Sequence, residues 1–513
     1  MKGAESLVRT LTGCGVEVCF ANPGTSEMHF VAALDRVGGM RAVLCLFEGV
    51  VSGAADGYAR MSGRPAATLL HCGPGLANAL ANLHNARRAR TPMVNIVGDQ
   101  ATYHRPFDAP LTADTEGWAR PVSGFVRTVT SAASLGRDAA VAVQAARTSP
   151  GQIATLILPA DVAWNEGGEV AEALPVPSPP TASPDRIRQV AHVLRRGEPA
   201  ALLLDGAVLA DEAALASAYR IASATGARLL APFSCARIVR GRGRVPLERV
   251  HYPVDAALKQ LAGLRHLILV GARPPVGFFA YPGKPSRLYP EECTLEVLAR
   301  PEQDAGLALA NLADELEAPR VAPTDPGPRP EPARGRISPE GVAQTLAALM
   351  PEAAVIVDES ISFGRGFFAG THAAPPHDWL QIVGGAIGAG VPLATGAAIG
   401  APGRRVITLE ADGSAMYTLQ GLWTQARERL DVTTVIFSNR KYAILLYELS
   451  QVGTNPGRTA LDLMDLGNPE LDWVRLAGGM GVEAARAETL EAFGDLLAQS
   501  FRRRGPFLIE LVI

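Results

Sequence analysis

Aromatic residues are scarce in this chain, 6% of 513 residues, and cysteines number only six. None of the six (Cys14, Cys19, Cys45, Cys72, Cys235 and Cys293) has CxxC spacing or a histidine cluster beside it, so a zinc site of ordinary spacing is excluded. They read as buried thiols of a reducing compartment. Net charge is nearly absent too: 48 Lys plus Arg against 51 Asp plus Glu leave −3, too little to draw the chain to nucleic acid or an anionic membrane. There is no apolar run of membrane-spanning length, and the N-terminus, with Glu5 and Arg9 in an amphipathic pattern, lacks a basic segment followed by an apolar one. These absences predict a cytoplasmic protein, complete from Met1, with no membrane or nucleic-acid partner.

What is present is an ordinary globular composition, 48% hydrophobic and 19% charged, with a core of small aliphatic residues. The length suggests about three domains. Two proline-rich seams, 174–184 and 321–334, make poor helix or strand interiors and good linkers. They delimit blocks at 1–170, 184–320 and 335–513. Within each block short apolar runs alternate with alanine-rich segments of helical period: 91–97 after 77–89, 267–270, and 433–437 after 419–428. The rhythm predicts an α/β fold of three consecutive doubly wound parallel sheets, whose ligands sit beyond the carboxyl ends of the strands. The central Gly206 and Gly271 turns lack a full GxGxxG, so a nucleotide there is unsupported.

The segment 406–446 is the most informative. It reads as a strand at 406–409, a turn at 411–414, a helix at 417–429 and a parallel strand at 432–437 that ends at Asn439. Asp412 and Asn439 then share one sheet edge. With the backbone carbonyl of Lys441 they form a set of hard oxygen donors suited to Mg²⁺, provided a diphosphate completes the shell; free amides near Ser414 could receive that diphosphate. Taken alone, D-G-S more often caps a helix. In the first block, Glu48 follows an apolar run at 42–47 and precedes a helix whose Gly53, Ala54 and Ala55 allow close approach of another surface. A carboxylate there is largely desolvated and could share a proton with a ring nitrogen, although an acid at a helix start is by default a cap.

A-D-G-S-A-M-Y at 411–417 and S-N-R-K-Y at 438–442 resemble the diphosphate motif of thiamine-diphosphate (ThDP) enzymes, and the likeness extends over nearly the whole chain to the benzoylformate decarboxylase and acetohydroxyacid (acetolactate) synthase branch. The resemblance implies pyrimidine-binding, central and diphosphate-binding domains in that order. It implies Mg²⁺ on Asp412, Asn439 and the Lys441 carbonyl, with Gly413, Ser414, Tyr442 and Ser360 near the diphosphate. Glu48 would hydrogen-bond N1′ of the aminopyrimidine. In G-G-A-I-G-A-G at 384–390, Ile387 would wedge between the two rings and the Gly385 carbonyl would accept from the 4′-amino group. The usual first glycine of the motif is Ala411 here, which weakens the cofactor site or does nothing if φ is negative.

By the same likeness Thr25 falls where a serine meets the substrate carboxylate, His71 matches a histidine used for proton transfer, and Gln100 ends a nearby strand. Decarboxylases of the benzoylformate type bring a second histidine from the central domain. The matching stretch here, 275–281, has none and offers Phe278, Phe279 or Tyr281 instead. Beyond the metal loop Ile444, Leu445 and Glu448 would line the acceptor pocket, with the Glu448 charge disfavouring a benzoyl group. The family implies a homodimer or homotetramer with active sites at the subunit interface; FAD in the central domain is a family possibility only. The expected activity is ThDP- and Mg²⁺-dependent decarboxylation of a small 2-oxo acid, through a C2 ylid and an enamine, followed by ligation to an aldehyde or a second 2-oxo acid. The alternatives are a non-ligating decarboxylase and a non-catalytic paralogue with weakened cofactor binding.

Overall fold

A computed structural model describes residues 1–513. The first sheet holds β1 (Val18–Ala21), β2 (Arg41–Leu44), β3 (Ala66–Leu70), β4 (Met93–Asp99), β5 (Phe125–Thr128) and β6 (Ile153–Pro159), all parallel, in the order β2-β1-β3-β4-β6-β5. The central sheet holds β7 (Ala200–Leu204) and β8 (Arg228–Ala231). Its order is completed by β10 (Glu248–Arg249), β11 (His266–Val270) and β12 (Thr294–Ala299) as β10-β8-β7-β11-β12, again parallel. The third contains β13 (Val355–Glu359), β14 (His377–Gln381), β15 (Val406–Ala411), β16 (Val432–Ser438), β17 (Glu483–Ala487) and β18 (Phe507–Val512). One strand departs from block order: β9 (Arg237–Arg240), from the central stretch of sequence, pairs antiparallel with β14 and closes the third sheet's edge, giving β17-β18-β16-β15-β13-β14-β9.

The third sheet's layers share cores with both neighbours. One cluster joins Leu202, Ile268 and Leu309 of the central layers to Ile356, Trp379 and Phe437. Another joins Val50, Ala54 and Leu83 of the first layers to Val357, Leu393 and Ala397. That second junction depends on small residues. Helix Glu48–Ser62 crosses helix Gly390–Gly400 so closely that a Cβ at Gly57 would overlap the Leu393 backbone, and one at Gly396 would overlap that of Ala54. Such contact between backbones is open only to residues without a side chain.

All six cysteines are buried and unpaired. No helix is long and apolar enough to cross a membrane. In the central sheet, the crevice beyond β7 and β11 is entered by Arg90, whose guanidinium donates to the Gly271 carbonyl at 3.0 Å and lies 3.9 Å from Asp205.

Candidate active site

The four adjacent strands β2-β1-β3-β4 end, in that order, at Glu48, Thr25, His71 and Gln100, so one edge of the first sheet carries all four residues expected to be catalytic. Glu48 opens helix Glu48–Ser62, and its side chain is buried among Asn78 and Gly75. Oε2 accepts from Asn78 Nδ2 at 3.0 Å, whereas Oε1 has no protein partner. Gly75 stands against Oε1, where a Cβ would lie at 2.9 Å. His71 packs its ring on Gly24, where a side chain would overlap it. This brings the Asn22–Gly24 turn and the exposed Thr25 beside the imidazole. Gln100 is half-buried at the end of β4, with its side-chain amide unbonded to the rest of the chain.

Sequence reasoning missed Glu27. Its carboxylate has no exposed side-chain surface, and His71 Nδ1 lies 2.9 Å from Oε2. The Gly24 N–H donates to the same oxygen at 2.9 Å and the Ser26 hydroxyl donates to Oε1. A Cβ at Gly98 would overlap it. Cys72, whose thiol burial pushes up to about 11, completes the cluster with Sγ 3.1 Å from Ser26 Oγ. The available signal was an acid three residues after Gly24 at a helix start, which looks like a cap; nothing local shows that it faces a histidine.

The third sheet repeats the plan. Its adjacent strands β16-β15-β13-β14 end at Asn439, Asp412, Ser360 and the loop carrying Gly385 and Ile387. Asp412 is 2% exposed, and burial raises its carboxyl above the usual range. Oδ1 accepts from the Gly413 N–H at 2.8 Å and Oδ2 from the Arg440 N–H at 2.7 Å. Asn439 Oδ1 accepts from the Lys441 N–H at 3.0 Å, and the Lys441 carbonyl accepts from the Ala443 N–H at 3.0 Å. The expected donor oxygens thus gather at one edge, each already accepting one N–H. The Tyr442 ring lies over Gly413 and fills the space a Cβ would need. Ala411 has φ −77° and ψ 143°, extended backbone open to any residue. Ser414 is buried in the short helix Asp412–Ala415. Ser360 differs from expectation: its hydroxyl donates to Asp358 Oδ1 at 2.5 Å, which commits the proton inside the sheet end.

The 384–390 loop is gripped from two sides. From the first block, Asn85 Nδ2 donates to the Ala386 carbonyl at 2.7 Å and Asn82 Nδ2 to the Gly388 carbonyl at 3.2 Å. From below, Glu359 accepts from the N–H groups of Gly388 (2.7 Å), Ala389 (2.8 Å) and Gly390. Burial pushes the Glu359 carboxyl up to about 7, and burial together with the Glu359 charge raises the equally buried Glu410 beside it. Gly385 has φ +81°, and the tip of the Phe278 ring lies 2.5 Å from where its Cβ would be. Ile387 is half-buried and belongs to no core cluster.

Glu448 corrects an expectation. It does not present a free charge to the pocket: Oε1 accepts from the Tyr252 hydroxyl and Oε2 from the Tyr281 hydroxyl, both at 2.7 Å. The inference against a benzoyl group therefore loses its basis. Ile444 and Leu445 sit in the first turn of the same helix, Ala443–Gln451.

Comparison with known proteins identifies the family. Residues 1–118 match the family described as thiamine pyrophosphate enzyme, N-terminal TPP binding domain, and residues 366–511 match the C-terminal TPP binding domain. A Mycobacterium tuberculosis protein named "Putative acetolactate synthase large subunit IlvX" is 53% identical over 515 residues, covering 100% of this chain and 99% of the relative. Benzoylformate decarboxylase of Pseudomonas aeruginosa is 28% identical, covering 97% and 96%. The solved structure of a Rhodococcus jostii thiamine diphosphate-dependent 4-hydroxybenzoylformate decarboxylase superposes with a TM-score of 0.83 at 25% identity, covering 99% and 98%.

Proposed function

Because this chain belongs to the thiamine-pyrophosphate enzymes and is related to acetolactate synthase and benzoylformate decarboxylase, we propose that it decarboxylates a 2-oxo acid and ligates the acyl fragment to an aldehyde or a second 2-oxo acid. The observation that carries the ligating reading is Phe278. Its ring stands on Gly385, beside the bend expected to hold the cofactor, and offers no titratable proton. An apolar, proton-poor wall would supply no proton at the reacting carbon and would favour an acceptor carbonyl there instead. The 53% identical relative named for acetolactate synthase supports the same direction.

In this reading Asp412, Asn439 and the Lys441 carbonyl hold Mg²⁺. The fit is reasonable: oxygen donors gather at one sheet edge, around a carboxyl whose charge burial penalises until a cation is present. Bound thiamine diphosphate supplies a nucleophilic carbon and an electron sink. Gly413, where Tyr442 occupies the Cβ space, and Ser414 receive the diphosphate. Glu48 directs its unpartnered Oε1 at the pyrimidine and holds the proton there. Ile387 would stand against the cofactor rings, and the Gly385 carbonyl would accept a hydrogen bond from the exocyclic amine. Thr25 and Gln100 orient the substrate carboxylate, and His71 moves a proton at the substrate oxygen. Glu48 and the metal ligands lie in different blocks, so one cofactor would span two of them; that they come from different subunits of a homodimer or homotetramer is what the family resemblance implies.

A second reading, a plain decarboxylase, is favoured by the His71–Glu27 pair, which can deliver a proton. A non-catalytic paralogue rested on Ala411, and the extended backbone there gives it no support. The deciding experiment incubates the protein, ThDP and Mg²⁺ with a panel of 2-oxo acids, with and without aldehydes, and identifies products by mass. Hydroxyketone supports ligation, CO₂ with free aldehyde supports the second reading, and no calorimetric binding at millimolar cofactor defeats both. Glu48→Gln should bind ThDP yet lose C2 hydrogen–deuterium exchange.

A further inference from the structure

Helix Ala443–Gln451 begins directly after the Asn439–Lys441 loop and has no buried residue. An element with so little apolar burial opens easily unless other contacts hold it. Three of the residues that do so, Tyr252, Tyr281 and Lys284, come from the central block, and a fourth, Arg365, from the third block itself. Tyr252 and Tyr281 each donate a 2.7 Å hydrogen bond to a different oxygen of Glu448. Lys284 Nζ reaches Gln451 Oε1 at 2.8 Å and Asp255 Oδ2 at 2.7 Å. The Arg365 guanidinium sits between two rings, 5.0 Å from the centroid of Tyr252 and 4.8 Å from that of Tyr447. Tyr252 in turn packs against Phe278, with centroids 5.6 Å apart, and Phe278 stands on Gly385.

We propose that Tyr252, Glu448 and Tyr281 form a latch by which the central domain holds helix 443–451 closed over the cofactor edge, fixing Ile444 and Leu445 at the acceptor side. These are positioning residues. A carboxylate with one phenol on each oxygen has its acceptor capacity directed across the domain junction, and hydrogen bonds to an ionised group are the strong kind. Burial and the neighbouring carboxylate push the Tyr281 hydroxyl up to about 12 and that of Tyr252 further, so both remain donors at neutral pH. Through Phe278 the latch also reaches Gly385, and the helix and the ring-binding loop are braced by one aromatic path.

The latch itself is independent of turnover; that it governs the acceptor side rests on the function proposed above. Hydrogen–deuterium exchange by mass spectrometry on the full chain tests the first statement. Tyr252→Phe/Tyr281→Phe, which keeps both rings, should raise exchange of amides 443–451 by roughly tenfold or more, consistent with losing charge-assisted bonds, and leave helix Glu48–Ser62 unchanged. Glu448→Ala should do the same, and the combination should add nothing. Glu448→Gln, which keeps one acceptor oxygen, should recover part of the protection. Unchanged exchange, or effects that add in the triple variant, would overturn the latch. With pyruvate as probe, the double Tyr→Phe variant should raise KM about tenfold with kcat within about twofold. An equal fall in kcat with KM unchanged would reject the positioning role. If the unmodified protein turns over no 2-oxo acid, the functional reading fails while the exchange result still decides the latch.

Discussion

Nδ1 of His71 lies 2.9 Å from Oε2 of Glu27, a carboxylate with no exposed side-chain surface. The imidazole is 24% exposed, its Nδ1 fixed by the acid and its Nε2 without a protein partner. A histidine oriented by a buried acid is suited to passing one proton at its outer nitrogen. Glu27→Gln keeps the shape and removes the charge that sets the tautomer. It should lower kcat by about a hundredfold, as loss of a positioned acid–base group does, with the ThDP dissociation constant unchanged in titration calorimetry. Full activity in this variant would remove the pair from the mechanism.

Ala411 occupies the place of the usual first glycine of the diphosphate motif. Its φ of −77° needs no glycine. Ala411→Gly should therefore leave ThDP affinity unaltered and lower stability by about 0.5–1 kcal/mol through chain entropy. A tenfold gain in affinity would mean that the methyl intrudes on the cofactor.

At Gly57 a methyl would overlap the Leu393 backbone across the junction of the first and third domains. Gly57→Ala should cost about 1–3 kcal/mol, the usual toll of overpacking. Gly13→Ala, with nothing within 4 Å of the added Cβ, is the control and should be neutral or slightly stabilising. Equal denaturation midpoints for the two variants would contradict the packing account.

Glu359, pushed up to about 7 by burial, adjoins Glu410, also raised. In the window from the ordinary carboxyl range up to about pH 7 the folded chain keeps a proton that the unfolded chain has released, so this pair's contribution to stability falls as pH rises and then levels off. Glu410→Gln supplies a donor to Glu359 that does not titrate. The variant's urea midpoint relative to the unmodified protein should therefore climb between about pH 5 and 7; a difference that stays constant with pH would disprove the retained proton.

Legibility in the sequence followed the strands. The runs at 91–97 and 433–437 became β4 and β16, and the segment 406–446 kept its strand–turn–helix–strand plan, with the turn tightened into helix Asp412–Ala415. Residues just past such runs were correctly placed at sheet edges because a parallel sheet puts every strand's carboxyl end on one side. Partnerships across that edge were less visible. Glu27 reads as a helix-start acid in sequence and a histidine partner in space; Glu448 reads as a charge in a pocket and is bound to two phenols; Ser360 reads as a free donor and is spent on Asp358.

What the sequence determined by itself was the set of strand ends and the chemistry standing on them, because period and turn residues act over a few neighbours. Only the tertiary structure decided who faces whom. Tyr252, Tyr281 and Glu448, and likewise Phe278 and Gly385, meet where the central layers pack on those of the third sheet. That packing is held by the core that joins Leu202, Ile268 and Leu309 to Ile356, Trp379 and Phe437, where packing density rather than local pattern fixes the fit.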